Sequence, residues 1–345
     1  MQAVFRLRRF LCSFGPGVAA PRDGAWRDAP EPEAYGGGDR RATPTRGWPA
    51  FSLVPARRAS GCGRGGRGVV ERRLPNFFIA GTMRSGTTSL ARYLDAHPEV
   101  FVSHPKEIHF FDLKFDKGIE WYSRLFANAD GAAAAGDATP SYVYLEDAVT
   151  RMAQTVPEAR VIITLRNPID RAYSHYWLRR SIGAEHLDFE DAVEAEPERL
   201  ALGDPRRACP YLDMGRYLPQ LERLCEHFPR SRVHVFVFED LRDDPLPTYQ
   251  SVCRFLGVEE SFVPANIGKV VNPFVTFRSV RVRKAKRHLP GLLRKVVGRL
   301  NTTRSSYPPM DPDLRADLEG RFAADNAALA KWLERDLSVW GGPRG

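Results

Sequence analysis

Cysteine is scarce in this chain and poorly placed for cross-linking. Five residues, at 12, 62, 209, 225 and 253, form no CxxC pair and are odd in number, which excludes a disulfide framework and argues against a thiolate metal site. Cys225 and Cys253 stand in helical patterns among apolar neighbours, where a buried structural thiol is expected. Such usage fits a reducing, cytoplasmic setting. No stretch approaches 18 apolar residues, so no membrane-spanning helix is expected. Lysine is missing from residues 1–73, which hold fourteen Arg and six acids, a net of +8. Since the whole chain carries +9, residues 74–345 are nearly neutral at about +1. No internal repeat is visible.

Residues 1–70 also lack sustained periodicity of either kind. They contain twelve Gly and seven Pro, with runs such as GGGDR and GCGRGGRG, and cannot bury enough apolar surface to offset ordering entropy. A disordered Arg/Gly/Pro-rich extension is expected over 1–73. The Arg-rich opening FRLRRFLCSF could be a targeting segment, but Ser13, Gly15, Pro16 and Gly17 break its apolar run. One domain is expected over 74–342.

From Leu74 onward, apolar runs alternate with helical patterns. NFFIAG is a strand signal, followed by the helix TTSLARYLDAHP with Leu90, Tyr93 and Leu94 on one face. VIITLR (161–166) is a second strand; Asn167 and Pro168 then supply a helix cap and first turn. VHVFVFEDL (233–241) reads as a third strand, with a helix after it ended by Gly257. The C-terminal DPDLRADLEGRFAADNAALAKWLERDL reads as a helix pair or one interrupted helix. This alternation predicts an α/β fold, P-loop-like and three-layered, with a central parallel sheet flanked by helices.

The stretch FIAGTMRSGTTSL (78–90) has the two glycines of a Walker A loop, Gly81 and Gly86, but Thr87 stands where its lysine belongs. The second strand lacks the acid that would hold magnesium and ends instead in Arg166. What remains is chemistry for anions. Gly86 lets amides turn inward, Arg84 brings a planar permanent charge, and Ser85, Thr87, Thr88 and Ser89 bring hydroxyls at a helix start. Arg166, with Ser174 two turns along the next helix, forms a second anion pocket. A nucleotide with phosphates at both ends suits two such pockets better than a triphosphate with magnesium.

RSGTTSL resembles the 5′-phosphosulfate loop of the PAPS-dependent sulfotransferases (PAPS, 3′-phosphoadenosine 5′-phosphosulfate), and LRNPIDRAYSHYW resembles their 3′-phosphate motif. HPKEIHFFD, between the two, is similar to the branch of heparan sulfate sulfotransferases and their bacterial relatives. The resemblance runs from about Asn76 to Trp340. It implies PAPS as co-substrate with no metal, the Arg84–Ser89 loop gripping the phosphosulfate, and Arg166 and Ser174 gripping the 3′-phosphate. It also implies Glu107 as general base, with His109 the alternative and Lys106 a candidate for charge neutralisation. The chain departs from the family in three places. Arg84 replaces the usual loop lysine, and Ala138 stands at the lysine of the heparan-type KTP stretch. The C-terminal cofactor loop of cytosolic members and the Golgi enzymes' disulfide are absent.

The implied acceptor is a hydroxyl or amine of a carbohydrate or glycolipid. Thr139–Tyr142 would shape its pocket; Trp121 and Tyr122 read as core anchors. Residues 261–310 hold eleven Lys or Arg and no acid. Within them Leu292, Leu293, Val296, Val297 and Leu300 share a helical face, which packs on the body or, secondarily, gives peripheral membrane contact through 289–300. Nucleic acid is disfavoured because no aromatics interleave the basic residues. Two rivals remain: a P-loop small-molecule kinase needing ATP and magnesium, and a non-enzymatic polyanion-binding protein.

Overall fold

The computed structural model describes residues 73–204, 209–269, 275–277, 302–304 and 307–341. The extension over 1–72 and the 289–300 segment lie outside the described residues, as does most of the basic 261–310 stretch. Five parallel strands form the sheet: β1 (Phe77–Gly81), β2 (Val100–Val102), β3 (Ala134–Asp137), β4 (Arg160–Leu165) and β5 (Val233–Val237), in the order β2-β3-β1-β4-β5. All five residues of β1 are buried, as a strand central in a parallel sheet requires.

Successive β1 side chains feed opposite cores, which is the physical basis of the three layers. Phe78 and Ala80 join a cluster with Met152, Leu221 and Leu329. These come from α4 (Glu146–Thr155), α8 (Tyr217–His227) and α11 (Pro312–Leu333). Phe77 and Ile79 join Leu90, Tyr249 and Val252, from α1 (Thr87–Asp95) and α10 (Pro245–Leu256). A third cluster ties α5 (Pro168–Ser181) to Phe189, Tyr211 and Phe322. Shorter helices complete the main unit: α2 (Phe110–Leu113), α3 (Gly118–Arg124), α6 (Phe189–Glu194), α7 (Glu196–Ala201) and α9 (Phe238–Asp243). β6 (Val275–Phe277) and β7 (Thr302–Arg304) form an antiparallel pair. Among the described residues no helix is long and apolar enough to cross a membrane.

Three expectations change. The strand expected over 233–241 stops at Val237, because Phe238 opens α9 with Glu239 and Asp240 in its first turn, where acids favour the positive end of a helix. α11 runs from Pro312 to Leu333 without interruption, capped by the Asp311 side chain. Two strands, β2 and β3, were not expected; at three and four residues they are too short to show a period. The expected helix cap is realised: Asn167 Oδ1 accepts from the Ile169 and Asp170 amides at 2.9 and 3.2 Å, with Pro168 in the first turn.

Candidate active site

β1 and β4 are neighbours, and the loops leaving their carboxyl ends meet where ligands of open α/β sheets bind. The first loop is built rigidly. The Thr82 amide donates to Thr164 O at 2.8 Å, and Thr164 Oγ1 donates to Ser85 O at 2.7 Å. The Ser85 hydroxyl is fully buried and lies 2.7 Å from Thr82 Oγ1. Ser85 therefore turns inward as a loop strut, although the sequence suggested a phosphate ligand. Gly86 adopts φ 82°, and a Cβ there would come within 2.7 Å of the Phe238 ring, so both backbone and space demand glycine. α1 then begins at Thr87 with no side-chain cap on Gly86, and the Ser89 and Leu90 amides donate to Gly86 O at 2.9 and 3.2 Å. Thr87 is buried; Thr88 and Ser89 are half-buried at the same turn.

Arg84, at φ 70°, reaches across to the second motif. Its Nε donates to Ser174 Oγ at 3.0 Å, and Arg166 Nη1 donates to Arg84 O at 3.0 Å. The Arg166 guanidinium also lies 5.1 Å over the Phe238 ring. Thus Arg84, Arg166 and Ser174 form one cationic patch. Burial, and then the like charge of Arg166, lower the Arg84 pKa, while Glu107 pulls in the opposite direction. Behind the patch, Arg171 is fully buried with Nε and Nη1 unpartnered. Burial followed by the charges of Arg171, Arg179 and Arg84 pushes the pKa of His175 well below its usual value, so this imidazole is neutral. The sequence pattern gave no notice of either residue, because Arg171 and His175 read as ordinary helix positions.

The segment after β2 carries the other candidates. Lys106 Nζ contacts Glu107 Oε1 at 2.8 Å. Glu107 Oε2 stands 3.9 Å from His109 Nε2, and His109 Nδ1 lies 2.9 Å from Asp112 Oδ2. Asp112 Oδ2 also accepts from Ser141 Oγ at 2.7 Å. A carboxylate that only accepts fixes the imidazole with Nδ1–H toward Asp112 and Nε2 toward Glu107. Lys106, Glu107 and His109 are therefore brought together. Asp112 extends the line, and its signal was the three-residue step from His109 within HPKEIHFFD. Glu107 remains 43% exposed at its side chain while Asp112 is at 0%, so the outer carboxylate faces solvent and the inner one anchors the imidazole. Trp121 packs partly against the core and Tyr122 is fully buried within it, in keeping with anchor roles.

A model of the sulfotransferase domain matches residues 74–288. The chain is 31% identical over 280 residues to human bifunctional heparan sulfate N-deacetylase/N-sulfotransferase 2, covering 76% of this chain and 30% of that protein. It spans about that same fraction of the other heparan sulfate relatives. A membrane-associated sulfotransferase, kil1, of Dictyostelium discoideum is 37% identical over 133 residues, 34% of this chain and 28% of that one. The crystal structure of a sulfotransferase from Alicyclobacillus acidocaldarius superposes with a TM-score of 0.61 at 31% identity, covering 78% of this chain and 99% of that one. These relatives overturn the cytoplasmic setting expected from cysteine usage, since one is membrane-associated by name and others are named for heparan sulfate. The inference failed because an unpaired cysteine set excludes a disulfide framework without fixing a compartment.

Proposed function

The chain belongs to the sulfotransferase domain family, and we propose that it moves a sulfuryl group from PAPS to a hydroxyl or amine of a carbohydrate or glycolipid. The observation that carries this reading is the convergence of Arg84, Arg166 and Ser174 at adjacent strand ends, beside the Glu107–His109–Asp112 line. A half-buried cationic patch beside the N-terminus of α1 fits an anion bearing phosphates at both ends. The carbohydrate acceptor is supported by the heparan sulfate N-sulfotransferase relatives. Residues 74–342 are the unit to which we assign the activity.

In this reading the Gly86, Thr87, Thr88 and Ser89 turn and Arg84 hold the 5′-phosphosulfate. Arg166, with Ser174 once Arg84 releases it, holds the 3′-phosphate. Arg84 stabilises charge on the leaving phosphate electrostatically, because a guanidinium does not give up its proton. Glu107 takes the acceptor's proton as the new bond to sulfur forms and the sulfur–oxygen bond to the phosphate breaks. Lys106 pairs with Glu107 at 2.8 Å, and His109, oriented by Asp112, accepts the proton from Glu107 at its Nε2.

Calorimetric titration with adenosine 3′,5′-bisphosphate, and separately with ATP and magnesium, tests the reading. Tight metal-independent binding of the bisphosphate, lost in Arg166→Ala, is expected. Binding of ATP with magnesium alone would favour the kinase. Glu107→Gln is expected to abolish turnover with bisphosphate affinity intact; loss of affinity instead would remove Glu107 from the base role.

A further inference from the structure

The backbone of the Glu107–Phe111 segment is held by a buried polar hub that the proposed chemistry does not use; Thr139 and Tyr142, expected from the sequence to shape the acceptor pocket, belong to it and are fully buried. Asp137, the last residue of β3, is fully buried. Its Oδ2 accepts from the Tyr122 and Tyr142 hydroxyls at 2.9 and 3.0 Å, and its Oδ1 from Thr139 Oγ1 at 2.6 Å. The Tyr142 hydroxyl in turn accepts the Phe110 amide at 2.9 Å and the Phe111 amide at 3.4 Å. Thr139 Oγ1 accepts the His109 amide at 3.5 Å, and the Glu107 amide donates to Ala138 O at 3.2 Å.

The proton directions are forced. With its lone pairs taken by two amides, Tyr142 has one proton left, and that proton must point to Asp137. Thr139 is polarised the same way. Each chain runs from amide to hydroxyl to a single carboxylate, an arrangement in which each bond strengthens the next. Between these anchors Glu107 and His109 sit at φ 62° and 56°, a left-handed conformation that non-glycine residues keep only where the surroundings impose it. Burial raises the Asp137 pKa, while the Thr139, Tyr122 and Tyr142 hydroxyls lower it; they supply the donors a buried carboxylate needs.

We infer that Asp137 and Tyr142, with Thr139, are positioning residues that set the spacing of Glu107 and His109. This rests on the reading of those two as the proton-handling pair. Tyr122 separates positioning from simple stability, because its hydroxyl reaches the same Asp137 oxygen but holds no amide of the loop; its ring stacks on Phe110 at a centroid distance of 4.1 Å, and phenylalanine keeps that ring. The comparison is therefore Tyr142→Phe against Tyr122→Phe, with PAPS and de-N-sulfated heparin as probes. Three quantities are read: kcat, bisphosphate affinity, and the NMR signatures of the loop. The signatures are the exchange rate of the Phe110 amide and the downfield proton of the His109–Asp112 hydrogen bond. Tyr142→Phe is expected to lower kcat by about 100-fold, as for a misplacement near 1 Å. It should leave bisphosphate affinity unchanged, speed Phe110 exchange and erase the downfield proton. Tyr122→Phe should retain both signatures. Equal effects of the two variants, or intact signatures in Tyr142→Phe, would overturn the inference. A wild-type protein that fails to bind the bisphosphate would sink the functional reading instead, and the NMR signatures would still decide the hub.

Discussion

Replacing Asn167 by alanine removes three hydrogen bonds from a residue that is 2% exposed. Two are the cap of α5, where Oδ1 accepts from the Ile169 and Asp170 amides. The third is donated by Nδ2 to Trp340 O at 2.5 Å. Trp340 is itself buried, and its indole Nε1 donates to Glu239 Oε2 at 3.0 Å. Loss of an N-cap side chain costs about 1 kcal/mol. The stranded Trp340 carbonyl adds about 1–3 kcal/mol, because water does not easily replace a buried donor. Asn167→Ala should therefore destabilise the protein by about 2–4 kcal/mol, or roughly 5–15 °C in Tm for a domain of this size. Asn167→Asp gives an internal control. It keeps the cap acceptor and adds favourable charge at the helix start. It cannot donate to Trp340, and its carboxylate would sit near Glu239, whose Oε1 accepts the Asn167 amide at 3.3 Å. It should recover the cap contribution alone and stay about 1–3 kcal/mol below wild type. Urea unfolding at neutral pH measures both. An alanine variant within about 0.5 kcal/mol of wild type, or an aspartate variant as stable as wild type, would refute the bookkeeping.

Two other perturbations follow from the electrostatics. Arg84→Met should weaken bisphosphate binding by at least about tenfold without lowering the unliganded melting temperature, because Arg84 is partly desolvated beside Arg166; a large drop in that temperature would contradict it. Burial pushes the Glu185 carboxyl up, but paired hydrogen bonds from Arg199 at 2.7 and 3.1 Å, the Leu187 amide and Tyr211 outweigh it and hold the pKa at about 2. A depressed carboxylate stabilises the fold above its unfolded value of about 4.3, and that stability is lost as pH falls toward 2. Between pH 6 and pH 3 this one group should account for a loss on the order of 2 kcal/mol, so urea unfolding of Glu185→Gln should show a correspondingly shallower decline, and an unchanged slope would remove the assignment.

What the sequence disclosed depended on whether a signal was local. Gly81 and Gly86, the Asn167–Pro168 helix start and the Glu107–His109 pair are each written within a few residues, and the structure holds them at the end of β1, at the start of α1, at the start of α5 and in the segment after β2. β2 and β3 escaped because their pairing lies in contacts with distant strands, such as Val100 with Ala134 and Phe77 with Gly136. The inward turn of the Ser85 hydroxyl was hidden for the same reason: it pairs with Thr82, which is fixed in turn by Thr164, 82 residues away. Tyr142 stood in the Thr139–Tyr142 stretch expected at the acceptor pocket and Asp137 drew no notice, because their hub is a product of burial, which no short pattern records.

The Asn167–Trp340 contact also has a temporal consequence. Its two partners are separated by 173 residues, so on the ribosome α5 emerges long before the group that completes its start. At about 5–20 residues per second the interval is roughly 9–35 s. During it the Asn167 amide group and Glu239 have no indole segment to receive, and the α5 start that presents Arg166 is incomplete. A nascent chain arrested before residue 340 should bind the bisphosphate more weakly than the released protein. On the proposed reading, acquisition of the nucleotide pocket is thereby tied to near-completion of synthesis of this domain.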